Sequence, residues 1–99
     1  MFSDEEIKQM SMNSLRKACE EIISDYSIIY DKYHKSDMYN SDIAFLHDLV
    51  DVIKPINTIL YVYNRDKHIN KNYAIEKLTY AKNLIDYTIR YFEEKGEDK

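Results

Sequence analysis

The middle of the chain is apolar almost throughout, and its few polar residues carry the period. His47, Asp51, Lys54, Thr58 and Tyr61 recur at steps of four, three, four and three, the spacing that holds side chains on one face of an α-helix. Between them stand Phe45, Leu46, Leu49, Val50, Val52, Ile53, Ile56, Ile59, Leu60 and Val62. A narrow polar stripe on an otherwise apolar helix predicts burial on two sides, as in a central helix. The segment runs from about 41 to 63. Pro55 removes one backbone N–H, and its ring crowds the preceding turn at a cost of about 3 kcal/mol. The stripe keeps its phase through Pro55, which predicts a kinked but continuous helix. A helix that stops at Lys54 and restarts with Pro55 in its first turn is the competing reading.

A second stripe precedes it. Ile7, Ser11, Leu15, Ala18, Ile22, Tyr26, Ile29 and Tyr33 follow steps of four and three and predict one helix over about 3–34. Cys19, Ile23 and Tyr30 widen the stripe. Ser3 and Glu6 have capping-box spacing, and Asp4, Glu5 and Glu6 set negative charge at the positive end of the helix dipole. The period is lost over residues 34–42, where Ser36 and Ser41 are candidate caps. After the polar connection 64–72, a third stripe of Ala74, Leu78, Ala81, Ile85, Thr88 and Phe92 predicts a helix over about 71–95. Asn70 or Asn72 caps it, and Gly96 stops it. Three helices with short connections pack antiparallel to their neighbours. The expected fold is all-α: an antiparallel up-down-up three-helix bundle with a proline-kinked central helix, and residues 1–99 form a single helical domain.

Composition agrees with that reading. The chain has 99 residues, enough for one domain and a modest core. One Gly and one Pro leave no supply of turns for a many-stranded β fold. No apolar run reaches the roughly 18 residues of a membrane span, the acidic start is not a signal peptide, and a single cysteine excludes an internal disulfide. A cytoplasmic setting follows. The frequency of Ile, Lys, Asn and Tyr, whose codons are rich in A and T, points to a low-GC bacterium or phage.

The candidate chemistry is sparse. His47 and Asp51 have metal-ligand spacing, but two ligands do not close a zinc site, so neither metal nor cofactor is expected. A phosphate-binding glycine loop is impossible with one Gly, and no serine or cysteine has a triad context. Cys19 reads as a buried, inert thiol. The expectation is no enzyme. A net charge of −4 has the wrong sign for general nucleic-acid binding. Arg65, Lys67, His68 and Lys71, with Lys77 and Lys82, still gather loosely around the second connection. Of these Arg65, Lys67 and Lys71 are the possible phosphate contacts; Asp66 and Glu76 balance them if the loop is only solvated.

The tyrosines are the remaining signal. There are 10, with no Trp and three Phe. Tyr73, Tyr80 and Tyr87 repeat every seven residues and Tyr91 follows. Tyr26, Tyr30 and Tyr33 form a row at the end of the first helix, which runs parallel to the third. Tyr80 and Leu84 are expected to bury the seam. Tyr30, Tyr33, Tyr87 and Tyr91 are expected to form one protein interface, with Tyr87 and Tyr91 reaching the partner; the alternative is that the rings only edge the core. The function expected is a non-catalytic protein–protein interaction module, a phage or mobile-element regulator or inhibitor that binds a host protein or forms a homodimer. In size and helical class the chain also resembles bacteriocin-immunity proteins, which implies an alternative role as an immunity-like bundle. A nucleic-acid-binding regulator is the third reading.

Overall fold

The computed structural model describes residues 3–34 and 40–97, and every element within them is a helix. In chain order these are α1 (Asp4–Lys8), α2 (Met12–Tyr33), α3 (Asn40–Asp66) and α4 (Lys71–Glu97). The candidate cap Ser36 lies outside the described residues. α3 begins at Asn40, which puts Ser41 inside its first turn.

The first stripe is not one helix. Ser3 and Glu6 form the capping box read from the sequence, but α1 ends after five residues. Gln9 N–H donates to the Glu6 carbonyl at 3.2 Å and Met10 N–H to the Ile7 carbonyl at 3.2 Å, the tight bonds that close a last turn. Ser11 then caps α2, its hydroxyl accepting the Ser14 N–H at 3.2 Å. Ser11 is therefore a cap and not a stripe position, because its side chain offers the backbone an alternative to continued helix. The break allows α1 to turn onto α4. There Ile7 is fully buried, and Asp4 pairs with Lys82, whose side chain is nearly covered.

The long helices follow their stripes. Leu15, Ala18, Cys19, Ile22 and Ile29 of α2 are buried against Leu46, Leu49, Ile53, Ile56 and Ile59 of α3 and Ala74, Leu78, Ala81, Ile85 and Phe92 of α4, all in one core cluster. The polar row of α3, His47 through Tyr61, is exposed along its length. α2, α3 and α4 each pack on both of the others, and α1 packs on α4. At the start of α2, the Met12 thioether Sδ accepts the Ile69 N–H at 3.4 Å, and Arg16 lies over the Tyr63 ring at 5.7 Å. At the other end Tyr33 of α2 stacks on Phe92 of α4 at 4.7 Å. The molecule measures 46 × 26 × 16 Å.

α3 runs unbroken through Pro55 and on to Asp66, so no new helix starts at the proline. The second connection is correspondingly shorter than expected. Lys67 terminates α3 with a left-handed backbone, φ 55°, and its N–H donates to the Tyr63 carbonyl at 2.7 Å. Asn70 caps α4 by accepting the Tyr73 N–H at 3.1 Å. α4 does not stop at Gly96 but continues to Glu97. The glycine adopts no positive φ there, and without that conformation it is a weak helix residue and not a terminator.

Two substitutions test this backbone. Pro55→Ala restores an N–H inside a continuous helix and is expected to raise stability by about 1–2 kcal/mol in thermal or urea unfolding; a loss would mean that the proline favours a helix start. Lys67→Gly relieves the cost of a side chain at a left-handed helix end and is expected to add about 0.5–1 kcal/mol in the same measurement.

Candidate protein-interaction site

The last turn of α2, the first turns of α3 and the last turns of α4 meet through aromatic rings. Phe45 of α3 is their centre. It stacks on Tyr91 at 4.9 Å with 6° between planes, on Tyr87 at 5.6 Å with 18°, and meets Phe92 edge-on at 6.3 Å. Tyr33 stacks on the same Phe92 at 14°. Such pairs contribute about 0.5–1.5 kcal/mol each beyond the area they bury.

The four tyrosines expected to form one patch are thus divided. Tyr33, Tyr87 and Tyr91 share the cluster through Phe45 and Phe92. Tyr30 stacks instead on His34 at 4.8 Å and tilts against Tyr26 at 5.9 Å. With Tyr26, His47, Val50 and Asp51 it lines a separate recess of about 340 Å³. Burial there, and then the neighbouring Tyr30, raise the Tyr26 phenol above its ordinary range.

Within the cluster the phenols have different jobs. Tyr91 is half-buried, and its hydroxyl donates to the Asp42 carboxylate at 2.8 Å; Asp42 itself is buried. Tyr87 is 54% exposed and lies at the rim of an open recess of about 280 Å³ with Arg90, Tyr91 and Glu94. Tyr80 is 62% exposed, which corrects its assignment to the seam. Leu84 packs against the core without being fully covered. The reason is angular: Tyr80 lies on the side of α4 opposite Leu78, Ala81 and Ile85.

The basic residues do not converge. Arg65 forms two hydrogen bonds to the Asp66 carboxylate, at 2.9 and 3.0 Å, and covers the Tyr61 ring. Those bonds hold the exposed Asp66 carboxyl below its usual range. Lys67 sits over Tyr63, Lys77 over Tyr73, and Lys71 is exposed in the first turn of α4. Lys82 leaves the group altogether, buried against Asp4. His47 and Asp51 are exposed, with Asp51 3.5 Å from Lys54. Among the described residues no three His, Cys, Asp or Glu side chains converge as metal ligands. Cys19 is buried, and loss of solvation for the thiolate, with Glu20 beside it, pushes the thiol up to about 12. Asp25 is raised by burial and by the carboxylates of Glu21 and Asp86.

Phe45 and Asp42 are the contributors that the sequence reading did not single out. Phe45 stood among the apolar positions of α3, and only the meeting of helix ends makes it a hub.

No family model, curated protein or solved structure matches the chain.

The division of labour predicts a contrast. Tyr91→Phe removes a hydrogen bond to a buried carboxylate and is expected to cost about 1–2 kcal/mol in urea unfolding. Tyr87→Phe is expected to change stability by less than about 0.5 kcal/mol.

Proposed function

We propose that the chain is a non-catalytic protein–protein interaction module, a regulator or inhibitor of phage or mobile-element type acting on a host protein. One observation carries the reading: Tyr87 presents a half-open ring, held by Phe45 beneath it and bordered by Arg90 and Glu94. A rigid aromatic anchor with flanking charges is the composition of an interface hot spot. A preorganised ring loses little conformational freedom on binding. The phosphate-contact reading for Arg65, Lys67 and Lys71 is weaker, since Arg65 is engaged with Asp66.

The scaffold behind the anchor is an antiparallel up-down-up bundle of three long helices, with α1 as an appendage and a kink at Pro55. The end-to-end ring contacts support that topology. The Thr58 hydroxyl, donating to the Lys54 carbonyl at 3.2 Å, supports the kink, because such back-bonding bends helices.

The test compares Tyr87→Ala with Tyr61→Ala, an exposed tyrosine on α3. In pull-downs from lysate of the source organism, a captured protein is expected to be lost with Tyr87→Ala and retained with Tyr61→Ala. Both variants are expected to melt within a few degrees of the parent, a shift of about 1 kcal/mol or less. Capture that survives Tyr87→Ala would sink the assignment of this site.

A further inference from the structure

Three of the large apolar or aromatic side chains most exposed to water, Tyr73, Tyr80 and Tyr87, stand on one helix at seven-residue intervals. Three residues after each, at the same interval, stand Glu76, Asn83 and Arg90, all exposed. The six form one continuous stripe with alternating steps of three and four, the pattern of a helix seam. The stripe faces away from the core residues of α4, and α2 and α3 already occupy the other sides. An outward row that is half tyrosine is not what solvation alone requires of a helix surface.

We propose that this outer face of α4 is a self-association surface on which two copies of the chain pair antiparallel. The proposal rests on the interaction-module reading and names the partner as a second copy. Charge selects the direction. Parallel pairing in register would set Glu76 against Glu76 and Arg90 against Arg90, which is repulsive. One antiparallel register sets Tyr73 level with Arg90 of the second copy, Tyr80 with its Asn83, and Tyr87 with its Glu76. Each layer then has a chemical match: a guanidinium over a ring face, a phenol against a carboxamide, and a phenol donating to a carboxylate. Glu76 also stands within one turn of Arg90 of the second copy. The two-fold axis repeats every contact. Arg90 has no ion pair among the described residues, and Glu76 only a 3.9 Å contact with its neighbour Lys77; both are available.

The seam from Tyr73 to Arg90 is about 25 Å long at 1.5 Å per residue. One helix face of that length is at the low end of stable interfaces, so the dimer is a micromolar one.

Sedimentation equilibrium of the purified chain, from about 1 µM to about 1 mM, is the experiment. The parent is expected to dimerise reversibly. Glu76→Arg and Arg90→Glu should each raise Kd on the order of tenfold, since every reversal creates two like-charge contacts. An equimolar mixture of these two variants should associate more tightly than either alone, because each supplies the charge that the other lacks. The double variant should recover self-association for the same reason. Circular-dichroism melts monitor folding; a reversal that destabilises the monomer is replaced by Glu76→Gln or Arg90→Gln, which should weaken the dimer less than reversal. A parent that stays monomeric throughout, a dimer indifferent to both reversals, or a mixture no tighter than its components would overturn the proposal. A monomeric parent that still loses a lysate partner on Tyr87→Ala would leave the interaction-module reading standing, so the two failures are distinguishable.

Discussion

The buried apolar side chains of α3 form one stripe at steps of three and four, and that stripe cannot be left in water. Leu46, Leu49, Ile53, Ile56 and Ile59 are all buried, and burying such side chains contributes about 1.5–3 kcal/mol each. Among the described residues the other long helices are α2 and α4, and both pack on α3 and on each other. A short connection between Asp66 and Lys71 joins α3 to α4, and the two helices pack on each other. The remaining consequences follow from that packing: the polar row of α3 faces out, the C-terminal ends of α2 and α4 meet, and the start of α3 is brought to them.

The aromatic cluster is a product of that meeting. Phe45, Tyr91 and Phe92 consolidate the junction, and the Tyr91 bond to Asp42 satisfies a carboxylate that burial would otherwise penalise. Tyr87 shares the stack yet keeps half its surface in water. Two phenols one turn apart on the same face of α4 therefore differ in cover, Tyr91 being tied to Asp42 while Tyr87 stays half in water. The far side of the core has a different device. Lys82 is a charge in an apolar seam, and Asp4 is the group that compensates it. A buried charge without its partner is costly, so α1 is held by an ion pair as well as by Ile7.

Much of the fold was legible along the chain. The apolar periods of α2, α3 and α4 identified almost every buried position, because a helix that must hide one face repeats its apolar residues at 3.6. The exposed row His47 to Tyr61 followed from the same rule. The ends were less legible. Ser11 lies in phase with the stripe, and period alone does not distinguish a small polar stripe residue from a cap. Gly96 and Lys67 were read by type, glycine as a stop and lysine as a charge; in the fold the glycine continues a helix and the lysine takes the left-handed turn.

The candidate site divides in the same way. The heptad interval of Tyr73, Tyr80 and Tyr87 is a property of the sequence, and so is the presence of Tyr33 and Tyr91 near helix ends. Which phenol is covered is not. Tyr80 faces out and Tyr91 is tied to Asp42 because exposure depends on where α3 lies beside α4, and residues 42 and 91 are brought together only by packing. The sequence by itself determined an all-helical chain and the face that each long helix hides, since backbone hydrogen bonding and apolar burial act within a few turns. The tertiary structure decided the break before Ser11, the hub at Phe45 and the burial of Lys82, since each depends on a contact between distant segments that no local period encodes.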